Sequence, residues 1–172
     1  MCGIAGIFHF DQLLCEPLDI QRLIDALSHR GPDGCGVYTD GPMGLGHRRL
    51  AILDLSELGR QPLQFGNRYW ITYNGEVYNF FELRQELEAL GQRFISNTDT
   101  EVVVAAYHQW GTDFVLKLNG MWAFAIWDSH HRELFLSRDR RSQAAPLSRR
   151  TDEVCFRLGA EKFSASAGFH GA

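Results

Sequence analysis

Runs of β-forming residues follow one another closely along this chain, and only three segments carry a helical period. That combination restricts the fold more than any other property of its 172 residues. Residues 4–10 are mostly apolar, 44–53 close on Leu50-Ala51-Ile52-Leu53, and 68–73 alternate β-formers. Residues 122–127 and 133–137 read as a hairpin that turns at 128–132. The first helix lines up Leu18, Leu23, Ile24 and Leu27 after Pro17, and the second spaces Phe80, Leu83, Leu87 and Leu90 before stopping at Gly91. The third pairs Thr98 as N-cap with Glu101 three residues on, then runs Val102, Val103, Ala106 and Trp110 to Gly111. Close-set strands with few helices predict one α+β layered domain, since no βαβ alternation calls for a parallel sheet.

Charge and composition exclude several functions. A net charge of −4 favours neither nucleic acid nor an acidic membrane surface. The pairs Arg48-Arg49, Arg140-Arg141 and Arg149-Arg150 are too short and scattered to track phosphates. No apolar stretch is long enough to span a bilayer. Gly3 and Gly6 stand where a signal peptide would have its apolar centre, so the expected compartment is the cytoplasm. Cysteines at 2, 15, 35 and 155 form no CxxC pair, and the histidines are scattered, so neither a metal site nor a disulfide framework is expected.

Cys2 follows Met1 directly. If Met1 is removed, thiol and α-amino group belong to one residue. A free thiol with pKa near ~8.5 is mostly protonated at neutral pH, whereas an α-amino group near ~7.7–8.0 is substantially neutral and can serve as the adjacent base. The other reading is a small buried cysteine at the start of a hydrophobic strand.

Four further constellations each admit a structural and a chemical reading. His29-Arg30-Gly31-Pro32-Asp33-Gly34 ends a helix in a turn, or braces the nucleophile strand. In Gly46-His47-Arg48-Arg49, alternation sends the two arginines to opposite faces, and an inward guanidinium suits a substrate carboxylate. Tyr73-Asn74-Gly75-Glu76-Val77-Tyr78-Asn79 holds an Asn-Gly turn signal directly before a helix. Asn74 and the Gly75 N–H also offer two donors for an oxyanion. Asp99 suits the dipole of the third helix, or a substrate ammonium.

Together with Cys2-Gly3-Ile4-Ala5-Gly6, Gln61-Pro62, 96–101, Asn119-Gly120-Met121-Trp122 and Arg138-Asp139-Arg140, these strings resemble class II glutamine amidotransferases. Within them, they resemble the branch of glutamine-hydrolysing asparagine synthetases. The resemblance covers residues 2–140. It implies an N-terminal-nucleophile hydrolase fold, four layers αββα with two antiparallel sheets. It also implies Cys2 as nucleophile, its amino group as base, and Asn74 with Gly75 as oxyanion hole. Arg49 would take the glutamine carboxylate, helped by the backbone of Leu50, Ala51, Ile52 and Leu53, while Glu76 and Asp99 would hold the amino end. The implied substrate is L-glutamine, and the chain itself would need no cofactor. ATP and Mg would belong to a synthetase domain, which adenylates aspartate and receives the ammonia.

Neither that domain nor its Ser-Gly-Gly-x-Asp-Ser loop occurs in these 172 residues. A separate synthetase polypeptide and an oligomer stay open. Residues 141–172 lack both period and the family's Phe-Gly-Val-Lys-Pro-Leu and Phe-Ala-Ser-Glu-x-Lys strings. Codons CGG AGT CAA GCC GCT CCN CTA for 141–147, read from the second base, give Gly-Val-Lys-Pro-Leu-His-Tyr. In the same shifted frame, 154–161 admit Phe-Ala-Phe-Ala-Ser-Glu-Gln-Lys. The tail is therefore expected to be out of frame and otherwise disordered, leaving open sheet edges, weak stability and little or no activity. Two alternatives follow: an inactive fragment acting as a binding module, and an N-terminal-nucleophile amidohydrolase for another amide.

Overall fold

The computed structural model describes residues 2–52 and 56–139, with the main chain alone of 147–150 and 153–157. Glycine and short apolar residues let the first sheet pack tightly. It comprises β1 (Gly3–His9), β2 (Gly34–Asp40), β3 (Met43–Arg49), β8 (Leu147–Arg150) and β9 (Glu153–Arg157) in the order β2-β3-β1-β9-β8. The second sheet runs β4 (Leu63–Phe65), β5 (Tyr69–Val77), β6 (Gly120–Asp128) and β7 (Glu133–Arg138) in sequence order. Every pairing is antiparallel.

Alternation explains the layers. Ile4 and Ala123 meet between the sheets, Tyr38 stacks on Trp70 with ring centroids 3.8 Å apart, and Thr72 Oγ1 donates to Gly46 O across the gap. The odd-numbered side chains of β5, from Tyr69 to Val77, instead meet α2 (Phe80–Ala89) and α3 (Asp99–Trp110). On the far side, α1 (Pro17–Asp25) lays Ile20 and Ile24 on the first sheet, where glycines 44 and 46 leave room. The order is helix, sheet, sheet, helices, as the N-terminal-nucleophile hydrolase fold requires. Among the described residues, no helix is long and apolar enough to cross a membrane.

Several local expectations are corrected, while the Thr98 cap stands as expected. Leu18 is exposed, and the buried face of α1 is Ile20, Ile24 and then Leu27. Leu90 is also exposed, just beyond α2. Thr98 caps α3 by accepting from Glu101 N at 3.3 Å. The Glu101 carboxylate accepts from the Ser96 and Ile95 amides, and so fastens the preceding loop. Residues 147–150 and 153–157 form a hairpin, with β9 pairing β1 from Ala5↔Arg157 to His9↔Glu153. The edge of β1 is thus covered. Main-chain pairing needs no side-chain pattern, which is why the sequence carries no sign of it. Arg140, 141–146 and 158–172 lie outside the described residues.

Candidate active site

β1 and β3 place Cys2 and Arg49 side by side. Gly3 pairs with Arg48, so Cys2, one residue earlier, stands beside Arg49, and Ile4 beside His47. Ile4 and His47 both reach into the inter-sheet space, since Ile4 packs on Ala123 and His47 Nε2 bonds Tyr73 O at 3.2 Å. Two-residue periodicity directs Cys2 and Arg49 to that face as well. Arg48 points the other way, donating to Ile24 O at 3.1 Å and to the Asp25 carboxylate. Arg49 is the inward arginine, half-buried, with Nη1 donating to Ser56 O at 2.9 Å.

The apolar segment after Arg49 leaves the sheet because side chains take its amides. Leu50 N donates to Cys2 Sγ at 3.3 Å, the thiol lies 3.7 Å from Leu50 O, and Ala51 N donates to Asp33 Oδ2 at 2.9 Å. Ile52 is exposed, and Leu53 lies outside the described residues.

The His29–Gly34 turn braces this assembly. Arg30 Nε donates to Cys2 O at 3.0 Å, and Asp33 N donates to Arg49 O at 3.0 Å. Gly31 has no room for a side chain, because a Cβ there would sit 2.4 Å from the carbonyl of Arg48.

The Asn-Gly pair is the interior of a strand, where a turn signal was legible. Asn74 pairs with Ala123 and Gly75 with Trp122. Asn74 is 9% exposed, and alternation puts its side chain on the Thr72 face, toward the first sheet. A Cβ on Gly75 would lie 2.3 Å from Met121 O, so only glycine lets β5 and β6 close here. Glu76 is exposed at the end of the strand, on the same face as Asn74.

Hydrogen-bond alternation orients the Gly75 peptide. β4 pairs with β5 only as far as Leu63↔Ile71. Beyond it, the Tyr73 amide donates to Gln61 Oε1 at 2.6 Å, and the Val77 amide to Asp99 Oδ2 at 3.2 Å. Gly75, between them, directs its N–H and C=O to the same edge. Asp99 comes to that edge from α3, 4% exposed and also holding Tyr73 OH at 2.7 Å. Burial pushes the Asp99 carboxyl above its ordinary range despite these bonds, and burial beside Asp99 pushes the Tyr73 phenol well up.

A cavity of about 230 Å³ is lined by Asp33, His47, Arg49, Arg60 and Gln61, among others. Cys2 and Asn74 are not among the residues that line it. His47 and Gln61 had no assigned role at the level of sequence. His47 is fully buried, and its Nδ1 has no hydrogen-bond partner among the described residues. Burial lowers its pKa from 6.5 to about 4.

Because the unfolded chain then binds the proton that folded His47 refuses, this residue's contribution is complete above pH 6.5. It is lost as pH falls toward 4. At about 1.36 kcal/mol per pH unit, the difference is roughly 3 kcal/mol. Asp99, displaced upward, works in the opposite sense. Melting the wild type and His47→Gln in parallel isolates the histidine. The wild type is expected to lose stability relative to the variant between pH 6.5 and 4, and parallel curves would refute this.

A family model described as a glutamine amidotransferase domain matches residues 1–162. The chain belongs to that family. Asparagine synthetase [glutamine-hydrolyzing] 3 of Bacillus subtilis is 46% identical over 144 residues, which cover 81% of this chain and 23% of that protein. Its counterpart numbered 1 from the same organism is 43% identical, over 81% of this chain and 22% of its own. The amidotransferase thus spans under a quarter of the length of these relatives. The solved glutamine phosphoribosylpyrophosphate amidotransferase of B. subtilis superposes with a TM-score of 0.74 at 22% identity, over 91% of this chain and 41% of that one. That likeness supports the fold. Among the described residues, no group of three or more His, Cys, Asp or Glu is placed to hold a metal ion.

Proposed function

We propose that this amidotransferase domain hydrolyses L-glutamine to glutamate and ammonia, with Cys2 as the N-terminal nucleophile after removal of Met1. One observation carries the reading: the Cys2 sulfur stands at the Leu50 peptide beside Arg49, and β5 continues past the end of β4 so that, among the described residues, no strand pairs the outer edge of Gly75 next to Asn74. The names of the relatives supply glutamine as the amide.

The free amine of Cys2 takes the thiol proton, and the thiolate attacks the side-chain carbonyl of glutamine. Asn74 Nδ2 and the Gly75 N–H receive the oxyanion. Collapse forms a thioester and expels ammonia, which leaves with the proton held by the amine. Water then attacks the thioester, giving glutamate and the restored thiol. Arg49 and the peptides from Leu50 onward hold the substrate carboxylate, and Glu76 with Asp99 hold its ammonium. An ammonium at Asp99 would also favour the ionised carboxylate that burial opposes. In this proposal the ammonia serves asparagine formation, on a synthetase part or partner that uses ATP and Mg with aspartate.

The test is ammonia release from glutamine by the purified chain, with its mass measured to show whether Met1 is gone. Release no faster from glutamine than from other amides, or turnover with Met1 retained, would overturn the proposal. Arg49→Ala is expected to raise KM for glutamine about tenfold to a hundredfold while kcat changes little. A charged hydrogen bond made equally in ground and transition states contributes about 1.5–3 kcal/mol. Steady-state kinetics check this, and a selective fall in kcat would contradict the carboxylate role.

A further inference from the structure

Resting on that reading, we propose that Gln61 and His47 are positioning residues that hold the main-chain N–H and C=O of Tyr73, and through them aim the oxyanion donors of Asn74 and Gly75. The register of β4 makes residue 61 the next position opposite Tyr73, after Leu63↔Ile71. No strand is there. In its place the Gln61 side chain accepts from Tyr73 N at 2.6 Å, and His47 Nε2 donates to Tyr73 O at 3.2 Å. Gln61 Nε2 goes on to Thr100 Oγ1 at 3.2 Å, beside Asp99, whose carboxylate holds Tyr73 OH.

These groups are all buried: His47 is 0% exposed, Tyr73 3%, Thr100 4% and Gln61 7%. Water is thus kept from capping the Tyr73 N–H and C=O, so either group stays unsatisfied once its side-chain partner is removed. A longer β4 would satisfy Tyr73 equally well, but it would run on beside Gly75 and consume the N–H facing that edge. Two side chains end the ladder one step short of the donor. They also fix the two peptides that meet at Tyr73, the second of which leads directly into Asn74. Because His47 Nε2 donates to a carbonyl, the ring is the Nε2–H tautomer, and a glutamine amide nitrogen has a similar reach.

The experiment compares Gln61→Met, His47→Met and His47→Gln in the full chain by three readouts: melting, hydrogen exchange of the Tyr73 amide, and glutaminase kinetics. In Gln61→Met, protection of the Tyr73 amide is expected to fall tenfold or more, to order of magnitude, as its acceptor is removed. In both methionine variants kcat is expected to fall about tenfold to a hundredfold with KM within about threefold, because aim and not substrate binding is lost. His47→Gln is expected to keep kcat within about threefold of wild type, to order of magnitude, since it keeps the donor. Loss of Tyr73 protection with unchanged kcat would overturn the proposal while leaving the glutaminase reading intact. A His47→Gln variant as slow as His47→Met would overturn it too. Should Gln61→Met not fold, the two His47 variants decide the matter. A wild-type chain without glutamine-specific turnover would overturn the glutaminase reading itself, and this role with it.

Discussion

Cys2→Ala is expected to lower glutamine-dependent ammonia release at least about a thousandfold while leaving the fold in place. The substitution removes the sulfur that accepts the Leu50 amide at 3.3 Å, and the other described thiols offer no substitute. Cys15 is buried with Ile7 and Ile20 on the α1 side of the sheet, and Cys35 is exposed on β2. The Cys2 side chain is only half-buried, and its carbonyl contact with Arg30 survives the change. Its loss should therefore cost no more than about 1 kcal/mol of stability. Activity and melting are expected to separate cleanly. Measurable turnover in Cys2→Ala, above a tenth of wild type, would remove the sulfur from the mechanism.

The second large effect is expected at Gly75. An added Cβ would lie 2.3 Å from Met121 O and 2.7 Å from Trp122 Cα, both main chain of the paired strand, and 2.8 Å from the Tyr73 ring. None of these is the end of a flexible side chain, so β5 and β6 must separate in Gly75→Ala. Overpacking of this kind costs about 1–3 kcal/mol. The displaced peptide also carries one of the two proposed oxyanion donors, and loss of one such donor lowers kcat by about a hundredfold to a thousandfold. Denaturant melts and kcat measured on the same preparation check both halves. Retained kcat in a destabilised Gly75→Ala protein would show that the Gly75 N–H does not touch the reaction.

Period and spacing made the layered α+β architecture legible, because amphipathic segments must bury one face whatever their partners are. The hairpin of β6 and β7 turns where its polar residues stand, with Asp128 opposite Glu133. Elements whose order comes from elsewhere were not legible. β4 is three residues long, and β2 leaves most of its residues half-exposed, so neither shows a clear hydrophobic alternation. The apolar run from Leu50 reads as strand until Cys2 and Asp33, distant in sequence, take its amides. Asn74-Gly75 reads as a turn because local propensity ignores Met121, the neighbour across the ladder that demands a glycine. For the site, Cys2 and Asn74 were marked by residue type and order along the chain, whereas Arg49 was singled out from Arg48 only by the family resemblance. His47 and Gln61 were not, because their partners are main-chain atoms of Tyr73, which any residue would supply.

Arg30 Nε grips the carbonyl of Cys2, an atom distinct from the sulfur and the amine. In the proposed reaction the residue would therefore pass from thiol to thioester and back without releasing this hold. Each such cycle would begin with the sulfur already registered against the sheet, with no re-docking step between successive substrates.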